Sequence, residues 1–381
     1  MVRARRDWRV AGLVMALATA SCRDQPAKGP DPAPTAQPAA AKRDAALAAA
    51  RVWFAPRIPP GSVDFSVNTP GPGGFHVRAD VECTFSLEPI GGTTPKFYCT
   101  LPDGDRVKVK YGERPLPNGE VASEIAATRL LTALGFPADR MNRVQSVKCR
   151  GCPPLPQQAL QCLEKGQPAA LCLQGAAPDR IMTFDDVVIE RAIEGEKIEA
   201  TKDQGWSWFE LDKINPKAGG SSRAEVDALR LMAMLLAHWD NKGPNQRLFC
   251  PPGAARPDGT CRAPVAAIKD LGASFGPKRV DLDNWKKVSI WSDPASCRVS
   301  MKALPFEGAT FADAQISEAG RQFALKLLRS LSASQLNVLF EASGVTAFQS
   351  KLAAGRSPQA WTAAFLAKVE QIASGGPCPP S

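Results

Sequence analysis

Within eight residues, HWDNKGPN at 238–245, the chain places a His, an Asp, a Lys and an Asn. An Asp with a Lys two positions on and an Asn five positions on supplies a proton acceptor, a cation for a phosphate and an oxygen ligand for a metal. These polar groups follow directly on the apolar run MAMLLAH, where they cost desolvation unless a site or a helix cap uses them. Further on, Asp270 opens Asp-Leu-Gly. Upstream, Gly91-Gly92-Thr-Thr-Pro-Lys-Phe separates two strand-like segments, Lys110 ends RVKVK, and Glu124 falls in the helix pattern that follows. Phosphoryl transfer asks for this set: a loop over the phosphates, a Lys held by a Glu, a carboxylate for the nucleophile, and ligands for one or two magnesium ions.

The elements that must position these residues follow from period and punctuation. From about residue 50 to 115 the chain reads as strands, VDFSV, FHVRADVECTFSLEPI, KFYCTL and RVKVKYG, broken by Gly and Pro. Asn118-Gly119 then opens the helical pattern EVASEIAATRLLTALG, with Gly135 as its stop and Pro137 beyond. A Cys- and Pro-rich insertion at 149–178 interrupts the pattern before strand character returns in DDVVIERAIEG. Ser222-Arg-Ala-Glu225 is a capping box for the helix VDALRLMAMLLAH, whose end delivers HWDNKGPN. Further helices are expected in ISEAGRQFALKLLRSL, QLNVLFEASG and QAWTAAFLAKVEQIA. Strands, one helix, more strand and then helices make an α+β order with a sheet-rich first part, a helical second part and a cleft between them.

On these residues the chain resembles the protein kinase-like superfamily, in its atypical branch of HipA-type, lipid-kinase-like and secretory-pathway kinases. HWDNKGPN matches HRDxKxxN in its His, Asp, Lys and Asn, and Asp270-Leu-Gly272 matches DFG with Leu271 in place of Phe. VKVK matches the VAIK strand, and the likeness spans roughly residues 80 to 345. It implies an α+β, bilobal kinase-like fold, which the cysteines would staple, with an N-lobe at 49–192 and a helical C-lobe at 193–381. It further implies Asp240 as the group that takes or orients the proton of an attacking hydroxyl, and Lys242 as neutralising the γ-phosphate. Asn245 and Asp270 would hold Mg or Mn, Lys110 paired with Glu124 would meet the inner phosphates of ATP or another nucleotide, Gly91 and Gly92 would cover them, and the strand at Glu190 would run past the base. Strand alternation puts Lys108 on the same face as Lys110, so either lysine fits the nucleotide role.

The ends and the cysteines bear on where such chemistry would happen. Four Arg in the first ten residues precede a short apolar run ending Thr-Ala-Ser-Cys22, which reads as a secretory signal over 1–22, with Cys22 as a lipidated, membrane-anchoring residue or cleavage near Ser21. Residues 23–48, rich in Pro and Ala, read as a tether. Setting Cys22 aside leaves ten of the 11 cysteines, an even number that favours disulfides in the periplasm or cell envelope; a four-thiolate zinc site at Cys149, Cys152, Cys162 and Cys172 is the alternative. Cys83 with Cys99 and Cys297 with Cys378 are candidate pairs. The formal charge of +9 includes about +3 from the signal, and no basic run is interleaved with aromatics, so no nucleic-acid partner is expected. Trp206, Trp208 and Phe209 suit either a substrate pocket or packing, with packing favoured. The expected function is transfer of the γ-phosphate of a metal-bound nucleotide to an unknown hydroxyl acceptor outside the cytoplasm. The rivals are nucleotidyl transfer with the same residues, a catalytically silent kinase-like lipoprotein that binds a nucleotide or a protein partner, and a structural lipoprotein.

Overall fold

The computed structural model describes residues 36–112, 118–277, 280–304, 307–348 and 357–380. The signal at 1–22 and Cys22 lie outside them. The expected tether ends sooner than its composition suggests: helix α1 (Ala36–Ala48) has formed by Ala36. Leu47 is fully buried, and Arg43 donates to both carboxylate oxygens of Glu210 and to the Gly205 carbonyl. Alanine's high helix propensity and one buried, doubly bonded guanidinium outweigh the low apolar content of the segment.

Strands β1 (Asp80–Ser86), β2 (Lys96–Thr100) and β3 (Arg106–Lys110) form an antiparallel run. Helix α2 (Gly119–Ala133) follows, then β4 (Arg140–Arg150), helices α3 (Pro156–Glu164) and α4 (Ala169–Cys172), and β5 (Ile181–Arg191). The five strands close into a barrel in the order β1-β2-β3-β5-β4, with β4 returning parallel to β1 through Asp80↔Ser146 to Thr84↔Arg150. VDFSV is not a strand, and β4 was not expected; five of its eleven residues are Arg, Lys or Gln, which hides an alternation of buried positions.

Alternation decides which side chains reach the cleft. Along β3, Val107 and Val109 pack inside the barrel, so Lys108 and Lys110 share its outer face. Lys96 lies directly across from Lys110 on β2 and Glu190 directly across from Lys108 on β5, adding to the same face.

The second part starts with β6 (Glu196–Lys197) and α5 (Arg223–Leu236), and continues through β7 (Gln246–Cys250) and β8 (Val265–Ile268). Beyond them lie α6 (Leu282–Lys287), β9 (Arg298–Val299), β10 (Ala314–Gln315), α7 (Glu318–Leu328), α8 (Ala333–Ser343) and α9 (Pro358–Ser374). β6, β7 and β8 make a small sheet and β9 pairs with β10 within this mostly helical part. Five disulfides join Cys83–Cys99, Cys149–Cys152, Cys162–Cys172, Cys250–Cys261 and Cys297–Cys378, so the cysteines of the insertion pair among themselves and not around a zinc ion. Trp206 and Trp208 are buried packing residues, Trp206 donating to the Ala267 carbonyl, whereas Phe209 is exposed.

Candidate active site

Two helix ends set the geometry. At the start of α2 the Asn118 side chain accepts from the Val121 N–H, fixing the register that turns Glu124 towards β3. At the end of α5, Ala237 adopts a left-handed conformation (φ 51°), and the chain reverses at once into His238 and Asp240. A non-glycine residue there costs about 1 kcal/mol, a strain the buried surroundings must hold. They do so partly through Asn241, which is fully buried: its amide donates to the His238 carbonyl, and its Oδ1 accepts from the Thr310 and Phe311 N–H groups.

The loop is tied to Asp270 through Asn245. The Asn245 Nδ2 donates to the Asp240 carbonyl at 2.7 Å, and the Asn245 carbonyl accepts from the N–H groups of Lys269 and Asp270. Lys242 Nζ lies 3.0 Å from Asp240 Oδ2. Asp270 Oδ1 accepts from the Gly272 N–H at 3.0 Å. At Gly272 a Cβ would come within 2.5 Å of Glu120 Cγ, so a larger residue would have to displace the Glu120 side chain at the first turn of α2. Ser123 on α2 donates to the Ser274 carbonyl and ties the two together.

Gly91, Gly92, Asp240, Lys242, Asn245 and Asp270 line one cleft of about 600 Å³. At its edge Lys110 ion-pairs with Glu124 and lies 3.0 Å from Glu190 Oε2, and Lys108 ion-pairs with Glu190. Burial works against the Lys110 ammonium, but attraction from Glu124, Glu190 and Asp270 outweighs it and holds the group well above its usual value. Burial likewise opposes the Glu124 carboxylate and raises it above the usual carboxylate range, with Lys110 pulling the other way. For Asp270 the attraction of Lys110 and the Gly272 N–H overcome burial and lower it. The side chain of Glu190, expected where the strand passes a base, is instead engaged by two lysines. Both lysines of the VKVK strand therefore enter the same ion-pair network, which explains why spacing alone could not choose between them.

Two charged cleft residues were given no role from the sequence: Lys96 sits inside GGTTPKF and Glu120 opens α2. Trp239, expected to anchor the loop, lines the same cleft. Lys96 had no local signal, because its place opposite Lys110 is set by the β2–β3 register. A second hollow, of about 210 Å³, lies behind α2 among Val63, Phe65, Val67 and Ala133, and it carries none of this constellation.

The donor set suits a hard divalent cation. Asp270 spends one carboxylate oxygen on Gly272, and Asn245 spends its amide nitrogen on Asp240, which leaves an oxygen on each for Mg or Mn.

His238 is buried against Trp208, with ring centroids 6.1 Å apart, and burial lowers its imidazole to about 4. A folded-state value below that of the unfolded chain means that stability is complete above about pH 6.5 and is lost as pH falls towards 4. Urea unfolding at pH 7, 5.5 and 4 should show a loss from this group approaching about 3 kcal/mol, and His238→Asn should flatten that part of the profile.

No family model matches the chain, and no curated protein matches it. Among solved structures it is similar to the Helicobacter pylori proinflammatory kinase CtkA, at 11% identity and a TM-score of 0.37, over 78% of this chain and 95% of that one. It is also similar to the Golgi casein kinase with Mn and ADP bound, at 13% identity and a TM-score of 0.34, over 78% of this chain and 74% of that one. Both neighbours are kinases. Overlaps this loose carry no weight for activity.

Proposed function

We propose that the chain has a bilobal kinase-like fold and is a phosphotransferase, moving the terminal phosphate of a metal-bound nucleotide to a hydroxyl acceptor. The observation that carries this reading is the buried Lys110–Glu124 pair set beside a cleft that also holds Asp240, Asn245 and Asp270. Structural ion pairs are common, but this one lies near enough to the cleft carboxylate Asp270 for Lys110 to lower it. Asp240, half-exposed at the cleft, is placed to accept the hydroxyl proton, with Lys242 beside it as a cation for the phosphate being moved. A metal held by Asn245 and Asp270 would supply charge neutralisation for the phosphates. Export, with Cys22 as the anchor, belongs to the same proposal; five disulfides support an oxidising compartment.

The test is a thermal-melt titration with ATP, with and without magnesium or manganese. At a hundredfold excess over Kd, binding adds about 2.7 kcal/mol, so the melting temperature should rise by several degrees only when metal is present, and Asp270→Asn should lose the rise. Equal melts with and without nucleotide would reject the reading.

A further inference from the structure

We infer that the cleft grips its donor by the phosphate chain and reads no base, so that inorganic tripolyphosphate binds it nearly as well as any nucleoside triphosphate. This rests on the reading above and adds the class of donor. The barrel carries Lys96, Lys108 and Lys110 on a single face, from which Lys96 enters the cleft lining. Lys110 and Lys108 have carboxylate partners; among the described residues none of the ion pairs involves Lys96. Its ammonium lies against the Gly91-Gly92 turn, where a Cβ on Gly92 would come within 2.7 Å of Nζ. Burial and repulsion from Lys110 and Lys108 weaken its hold on the proton, an environment that an anion between the three would relieve.

Beyond the cleft lining, the same face of the barrel is charged where a base needs an apolar slot. Lys110 is the last residue of β3, so a donor whose terminal phosphate lies at Asp240 and whose inner phosphates lie at Lys110 extends along the strand towards Lys108. There it meets the Lys108–Glu190 ion pair under the Tyr98 ring. A purine laid over this pair would desolvate it with no compensating bond, whereas phosphate oxygens would accept from the lysines. Transfer is balanced for either donor. The hydroxyl oxygen bonds to the terminal phosphorus, its proton passes to Asp240, and the bridging P–O bond breaks to release ADP from ATP or pyrophosphate from tripolyphosphate.

The experiment compares melt-derived affinities of the whole disulfide-bonded chain for ATP, GTP, CTP, UTP and tripolyphosphate, each with magnesium. All five are expected within tenfold of one another. Lys96→Ala should weaken each by the same factor, about tenfold, and Lys96→Arg should restore it. A preference for ATP of more than tenfold over both UTP and tripolyphosphate would overturn the inference and leave the phosphotransferase reading standing. So would a Lys96→Ala chain that binds all five unchanged, or a tripolyphosphate shift that persists in Asp270→Asn. Absence of any metal-dependent shift would sink both readings together.

Discussion

Asp240→Asn should leave metal-dependent nucleotide binding within about threefold of the wild type and lower the rate of phosphate transfer by about 10²–10⁴-fold, the range for a lost general base. The substitution is nearly isosteric and the local structure does not depend on the carboxylate. Asn245 holds Asp240 through its main-chain carbonyl, and Asn241 anchors the loop independently. The one side-chain bond lost is that from Lys242, which is half-exposed and can turn to solvent. The decisive comparison is single-turnover transfer or donor hydrolysis against the melt shift measured on the same preparation. A variant that binds and fails to turn over assigns Asp240 to the chemistry. If binding and turnover fall together, the residue shapes the cleft; if neither changes, the proton goes elsewhere. Asp270→Asn should behave differently, losing binding first, because on the proposed function its carboxylate would hold the metal while that of Asp240 would meet the acceptor.

Much of this arrangement was legible from short-range rules. The capping box at Ser222 and Glu225, the apolar period of α5 and the polar run after it placed the end of the helix where Asp240 emerges, and both halves of the box form. Alternation in RVKVK put Lys108 and Lys110 on one face, as observed. What was not legible depends on distant partners. No local signal says that α1 docks, since its stability comes from Arg43 meeting Glu210, 167 residues away. Strand β4 carries too many polar residues to look half-buried, and it closes the barrel by pairing parallel to β1, a contact that no hairpin turn announces. Lys96 was hidden for the same reason: its role follows from lying across from Lys110, and that register belongs to the sheet, not to the segment.

Lys110→Met should be the most damaging single change to stability in the cleft, costing about 3–5 kcal/mol near neutral pH. The side chain is 3% exposed and Glu124 1%, so removing the cation strands a carboxylate that water cannot reach. Glu190 suffers less because it retains Lys108. Burial already raises Glu124 in the intact pair, and without Lys110 it rises further. The folded variant then holds this proton more tightly than the unfolded chain, so its deficit should shrink as pH is lowered from 9 to 6 and grow as pH rises. Urea unfolding at those two values checks the sign. The double variant Lys110→Met with Glu124→Gln replaces both charges by neutral groups of similar size and should regain most of the lost stability. Activity should not return with it. The phosphates would still lack a cation, and transfer should stay about 10²–10³-fold down. A pair that served only the fold would recover both together, so the separation of stability from turnover in this double variant distinguishes a structural ion pair from a phosphate-binding one.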